Sequence, residues 1–435
     1  MKRTITILFI FSTVSFATGL GQEKEGIAQV VYLVGNTASG KLAEDQLLTF
    51  KEQVLDERYP FAVVHLGDIV YGIEPDKQAA ELDLLFDLLE GREKGKLLFT
   101  PGDIDWNHAQ RDGLKMVRKL EELVEKRAGS SDIFLPSDGC PGPELIDLSP
   151  WLRLIVINTH WWLHRYDIPE APDSDCSNLT REEFTESMEE AIEESMGKNI
   201  LIIGHHPIRS SGVYGGHMTF KTHLFPMADA KPGNMIPVPL LGSFHAAYRQ
   251  NVGTVRDMAN EDYQDFIDHM RDVLSRHPGL IYASAHDYSL QLLEFENSFQ
   301  VISGSISHQE PTGKEPGELF ASSKAGYARL EYLHSGEIRI GYYASGKEGP
   351  QKLYSQVLFQ SGCEAAADPH MARNRYFIPC LEEEAVPQEL NQPFPSDSAT
   401  VIAGDYPAKG IKKMFLGSLH RATWQTPVTV PYLNL

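Results

Sequence analysis

Across residues 29–343, short β-rich runs alternate with amphipathic stretches. Five of the runs stop at the same punctuation, a glycine or alanine followed by a polar side chain. The five ends read Gly35-Asn36, Gly67-Asp68, Gly102-Asp103, Gly204-His205-His206-Pro207 and Ala285-His286-Asp287. Glycine at a strand end lets the backbone turn sharply and come close to a ligand. In an open α/β sheet the crevice beyond the strand carboxyl ends is where ligands bind. One Gly-Asp after a strand is usually a turn or a helix cap; five such ends in order point to a site. Carboxylates and imidazoles gathered at one edge suit a divalent transition metal.

The runs at 30–34, 61–66, 97–100, 152–158, 200–204 and 280–284 read as strands, and 42–55, 77–89, 114–124, 181–196 and 261–276 as helices. The runs at 290–295, 299–303, 327–332 and 338–343 have no helices between them and read as antiparallel strands. Strand–helix alternation closed by a strand meander predicts a layered α/β sandwich. Two regions lack a clear period. Residues 209–257 carry Pro, Gly, His and aromatic side chains, a content that favours an ordered loop beyond a sheet end. From Gly346 onward the chain reads as loop-like, with several prolines and an acidic cluster at 382–384.

Lys2 and Arg3 precede an apolar run over 5–16, and Ala17-Thr18-Gly19 and Gly21 follow it. This is the pattern of a cleaved signal peptide over residues 1–21, too short to span a bilayer. Lys and Arg total 39 against 60 Asp and Glu, a formal net charge of -21, and there is no dense basic run. Such a balance disfavours a nucleic-acid partner. Export favours disulfides among Cys140, Cys176, Cys363 and Cys380. Four cysteines allow three pairings; the expected one joins sequence neighbours, Cys140 with Cys176 and Cys363 with Cys380. Neither a Gly-x-Ser-x-Gly elbow nor a phosphate-loop signature is present.

The order of these motifs resembles the calcineurin-like metallophosphoesterase superfamily over 29–343, most of all the purple acid phosphatase branch and its exported bacterial relatives. Gly67-Asp68-Ile69-Val70-Tyr71 and Gly204-His205-His206-Pro207 match intact. Ala285-His286-Asp287-Tyr288-Ser289-Leu290-Gln291 is similar to the family's Gly-His-Asp-His-x-x-Gln, and Gly102-Asp103-Ile104-Asp105-Trp106 stands where Gly-Asn-His-Asp-Trp is found. Asn158-Thr159-His160-Trp161-Trp162 and Gly139-Cys140-Pro141-Gly142-Pro143 resemble elements of the exported subgroup.

The resemblance implies a four-layer α/β/β/α sandwich over residues 22–345 and a loop-rich C-terminal extension over 346–435. Residues 406–435 of that extension are similar to the linker that leads to an outer-membrane barrel in some exported relatives. It also implies two metals bridged by Asp68. One ligand set is Asp68, Asp103, His205 and His286, suited to Zn, Mn or Fe. The other is Asn36, Asp68, Tyr71 and Tyr288. It is the weaker set, because a neutral amide replaces a carboxylate and Tyr288 replaces a histidine. With Asp68, the two phenols would otherwise make an oxygen-rich set for ferric iron. Ile104 stands where the family has the histidine that polarises the substrate. Tyr214, nine residues after His205, stands where the purple branch has another. His206 and His217 are the candidate catalytic stand-ins.

The expectation is one well-held metal and a second site that is weak or empty. The implied activity is hydrolysis of small phosphate esters by metal-activated hydroxide, at reduced rate, in the periplasm, at the cell envelope or outside the cell. The alternative is a catalytically inactive pseudo-phosphatase that serves as a binding or scaffold module of the envelope.

Overall fold

The structure, a computed structural model, describes residues 26–38, 40–70, 75–89, 95–172, 174–225, 236–346 and 349–360. The segment 1–21, Tyr71, Cys363 and Cys380, and everything from residue 361, including 406–435, lie outside the described residues.

The chain order is β1 (Ile27–Val34), α1 (Gly40–Leu55), β2 (Phe61–His65), α2 (Pro75–Phe86), β3 (Gly95–Phe99), α3 (Gly113–Ala128), β4 (Glu144–Ser149) and β5 (Leu152–Val156). It continues through α4 (Thr159–Leu163), α5 (Arg181–Glu194), β6 (Asn199–Ile203), α6 (Phe220–Leu224), α7 (Pro239–Asn251), α8 (Glu261–Arg276) and β7 (Ile281–Ser284). The strands β8 (Leu290–Phe295), β9 (Ser298–Ser303), β10 (Glu318–Ser322), β11 (Gly326–Leu333), β12 (Ile338–Gly346) and β13 (Gly349–Phe359) complete it.

These strands form two mixed sheets, ordered β13-β12-β11-β1-β2-β3 and β10-β8-β9-β7-β6-β5-β4. β1, β2 and β3 are parallel, as are β5, β6, β7 and β9. Period-two alternation assigns each strand two faces. Val31 and Leu33 of β1 join Leu154, Leu201, Ile203, Val301, Leu330 and Ile340 in a core between the sheets. Val30, Tyr32 and Val34 turn the other way and pack under Phe50, Leu82, Val117 and Leu120 of α1–α3. The second sheet repeats the arrangement, with Ile155, Ile200, Ile202 and Tyr282 meeting Phe184 and Met188 of α5 and Phe266 and Met270 of α8. Three apolar interfaces thus follow in order: helix on sheet, sheet on sheet, sheet on helix. The chain is α/β, as its sequence implies.

Local chemistry sets the helix ends. Thr180 and Glu183 form a capping box that opens α5, and the Asn260 side chain accepts from the Asp262 N–H to open α8. α3 stops at Gly129, whose left-handed backbone returns its N–H to Glu125 O. A disulfide joins Cys140 to Cys176.

Two readings need correction. The aperiodic stretch 209–257 contains helices α6 and α7. In α7 the inward positions are Gly242 and Ala246, whereas Leu240, Leu241, Phe244 and Tyr248 face solvent. No apolar stripe faces a core, so the usual helical signature is missing. The loop-like reading from Gly346 also fails at its start, because β13 pairs with β12 along its length and the sheet runs to Phe359. As an edge strand with two register shifts and few buried side chains, β13 shows little alternation in its sequence.

Truncating a side chain between the sheets removes contacts that nothing refills. Leu330→Ala is expected to destabilise the fold by about 2–5 kcal/mol, read as a lower urea midpoint at unchanged slope, whereas Leu240→Ala stays within about 0.5 kcal/mol. A second prediction concerns acid. Burial opposes the Glu57 carboxylate, but Arg329, 2.8 Å away, holds its pKa below the ordinary 4.5. A carboxylate depressed in the folded state adds stability above pH 4.5 and loses it as pH falls below that value. Glu57→Gln should therefore flatten the acid limb of a stability–pH curve without shifting its neutral plateau upward.

Candidate metal centre

Parallel strands deliver their following loops to one edge. The loops after β1, β2 and β3 carry Asn36, Asp68 and Asp103, and those after β6 and β7 carry His205, His206 and His286. The two sheet edges are stitched together here. His205 Nδ1–H donates to Leu66 O at 2.7 Å, and Asn36 Nδ2 donates to Gly304 O at 2.8 Å and His286 O at 3.3 Å. Asn36, Asp68 and His286 all hold left-handed backbone angles, φ 55, 57 and 61.

Close approach explains two of the glycines. A Cβ on Gly67 would lie 2.5 Å from His205 Nδ1, and one on Gly102 would lie 2.3 Å from Asp68 Oδ1 and 2.7 Å from His205 Cε1. Asp105, given no role in the sequence reading, locks these loops. Its carboxylate accepts from the N–H groups of Asp68 (2.9 Å), Ile69 (3.0 Å) and Gly102 (2.8 Å). Ile104, in place of a histidine, contributes its backbone N–H to Asp68 Oδ1 at 2.9 Å.

One donor atom from each of Asp103, His205, His206 and His286 can be chosen so that all lie within 4.8 Å of one another, and the four side chains are buried. Asp103 Oδ1 lies 3.3 Å from His205 Nε2 and 3.2 Å from His286 Nδ1. Asp68 adjoins the group, its Oδ1 3.5 Å from His205 Nε2. Three buried atoms here, Asp68 Oδ2, Asp103 Oδ2 and His206 Nε2, have no hydrogen-bond partner among the described residues. Buried polar atoms are rarely left unpaired, and a bound cation would satisfy the two carboxylate oxygens and the imidazole nitrogen. A cluster of one to two carboxylates and three imidazoles fits a transition metal.

The remaining ring nitrogens are already committed, which fixes ligand orientation. His205 donates Nδ1–H to Leu66 O, leaving Nε2 facing Asp103 and Asp68. His286 donates Nε2–H to Arg256 O at 2.8 Å, leaving Nδ1 facing Asp103. His206 Nδ1 lies 2.8 Å from the Thr159 hydroxyl, and burial, with the neighbouring His286 and His205, holds its pKa far down, so the ring is neutral. Burial and the adjacent Asp103 push Asp68 up to about 6. Against its own burial, Asp103 is held well below the usual range by Arg256 and by the His205 and His286 rings.

The second set is differently furnished. The Asn36 amide nitrogen is spent on backbone carbonyls, and its buried Oδ1 has no partner among the described residues. Burial, then Asp68, raises the Tyr288 phenol above its ordinary value, which opposes a phenolate. The Tyr288 ring meets His308 at 5.1 Å. Of the two stand-ins, His206 joins the ligand group, whereas His217 faces Glu315 at 3.5 Å and is not one of the gathered residues. Tyr214 lies against His286, ring centroids 4.4 Å apart. His160 stacks behind His206 at 5.6 Å.

Arg256 was not foreseen. Its Nε lies 2.7 Å from Asp103 Oδ2 as an ion pair not aligned for a hydrogen bond. It comes from the aperiodic stretch, where no motif or spacing marks it.

No protein-family model matches the chain, and no curated protein matches it. Among solved structures it is similar to GAP50, the anchor in the inner membrane complex of Plasmodium, at 17% identity over 79% of this chain and 94% of that one, TM-score 0.47. It is also similar to the purple acid phosphatase PPD1 of yellow lupin, Lupinus luteus, at 11% identity over 76% of this chain and 53% of that one, TM-score 0.45. Likeness at such identities concerns fold alone.

His205→Ala and His286→Ala should each weaken Mn or Zn binding by at least about 100-fold, measured by equilibrium dialysis on protein whose circular dichroism is unchanged. Asp105→Asn, which touches no ligand atom of the cluster but loosens the loops, should cost about 10–100-fold.

Proposed function

We propose that the protein is an exported, metal-dependent hydrolase of small phosphate esters, with reduced activity because only one of two metal sites is well furnished. The observation that carries this reading is the group Asp103, His205, His206 and His286, its donor atoms within 4.8 Å, with the unpaired Asp68 Oδ2 beside it. A transition metal held there, whether Zn, Mn or Fe, supplies Lewis acidity and makes water acidic enough to ionise near neutral pH. The chain's own groups do the remaining work. Leu66 O and Arg256 O keep the His205 and His286 rings oriented, and Asp105 keeps the Asp68 and Asp103 loops in register. His206, neutral and with Nε2 free, is suited to serve as a further nitrogen ligand.

Reduced activity follows from what the second set lacks. The Asn36 amide is neutral, with its nitrogen spent on backbone carbonyls, burial raises the Tyr288 phenol and so opposes a phenolate, and Ile104 brings no imidazole. Each missing charge stabiliser is worth roughly 10²–10³ in rate. Export is supported by the Cys140–Cys176 disulfide, a bond that persists in oxidising compartments. In this reading residues 1–21 are the removed leader. The hydrolase unit begins at residue 22, and its end moves outward from 345 because β13 belongs to its sheet.

The test is turnover of an aryl phosphate with added Mn, Zn or Fe. Weak, metal-dependent turnover is expected, falling by at least about 10²-fold in Asp68→Asn. The triple change Asn36→Asp, Ile104→His, Tyr288→His should raise kcat by about 10²-fold or more. Turnover that survives Asp68→Asn places the chemistry elsewhere. Metal bound with no turnover under any condition favours the scaffold reading.

A further inference from the structure

Among the described residues, Arg256 is a neighbour of the fully buried centre that reaches solvent. Asp68, Asp103, His205, His206 and His286 have no exposure, whereas 27% of the Arg256 side chain is exposed. Its Nε is paired with Asp103 Oδ2, so that carboxylate divides its oxygens, Oδ1 toward the imidazoles and Oδ2 toward the guanidinium. The guanidinium charge also acts on Asp68, Tyr214 and Tyr288. Two of its nitrogens, Nε and Nη2, are buried and make no hydrogen bond among the described residues.

The position is built, not incidental. Asp257, next in sequence, accepts from Arg249 Nε and Nη2 at 2.8 and 2.6 Å and from the Thr254 N–H and hydroxyl, both at 2.9 Å. Arg256 lies over the Tyr214 ring at 5.0 Å, and that ring lies against His286. The Arg256 carbonyl meanwhile orients His286. A planar guanidinium whose Nε faces Asp103 while its buried Nη2 makes no hydrogen bond among the described residues suits a phosphoryl oxygen.

We propose that Arg256 is the second cation of this centre: an arginine stands in for a second metal ion and grips the oxyanion of a phosphate ester or inorganic phosphate at the mouth of a single-metal site. The identity of the anion rests on the phosphoesterase reading. The charge that a second metal would supply is thus built into the chain, and Asn36 and Tyr288 need not be ligands.

The test uses full-length protein, Mn or Zn, and inorganic phosphate, with Arg256→Met and Arg256→Lys. Both variants keep the backbone carbonyl that orients His286. Metal analysis should give one ion per chain in the wild type and in both variants. By calorimetry on Mn-loaded protein, the phosphate Kd should rise at least tenfold in Arg256→Met, with partial recovery in Arg256→Lys, which keeps the charge without the fork. Two metals per wild-type chain, an unchanged Kd in Arg256→Met, or no phosphate binding by the loaded wild type would overturn the assignment. If Arg256→Met does not fold, judged by its thermal transition, the lysine variant decides: wild-type affinity in it removes the fork from the argument. Phosphate that binds through Arg256 while no aryl phosphate is hydrolysed supports the clamp and overturns the hydrolase reading. Hydrolysis at wild-type kcat/KM in Arg256→Met does the reverse.

Discussion

Two carboxylates without solvent exposure, Asp68 and Asp103, sit where the edges of two sheets meet, each with one oxygen lacking a hydrogen bond. Buried unpaired charge is expensive, and proteins retain it only where a cation, a proton or a dense set of donors compensates. Much of the surrounding construction answers this requirement. Parallel strands aim the loops at one rim, glycines let the loops and imidazoles crowd together, and Asp105 collects three backbone N–H groups so that the loops cannot spread. Three imidazoles and one guanidinium then close on the carboxylates.

Much of this was legible because its causes are local. A strand that ends in glycine and a carboxylate or imidazole advertises both the turn and the side chain, and the structure gathers Asp103, His205 and His286 with Asp68 adjoining them. The helices α5 and α8 were equally plain, since both present an apolar stripe to a sheet. The failures have physical reasons too. α7 turns its large apolar residues outward, so hydrophobic periodicity points away from the fold. β13 is an irregular edge strand with little to bury. His217, singled out by sequence proximity alone, lies beside Glu315. Arg256 gave no signal, because its role depends on where the excursion folds back and not on its neighbours in sequence.

The chain is strongly acidic overall, with a formal net charge of -21, yet the rim mixes both signs at short range. General surface charge would repel an anion. An anion reaching the centre must therefore be attracted locally, by cations held in low-dielectric surroundings where their fields are less screened. Arg256, over the Tyr214 ring and partly open to solvent, is suited to that task.

Asn36, Asp68 and His286 share a left-handed backbone, a conformation costing an L-residue roughly 1–2 kcal/mol that glycine would adopt freely. Three such residues within one rim mean that the fold forgoes stability it could have had with blander loops. The shape of this edge is thus tied to the side chains it displays, at a cost that a thermal transition can read.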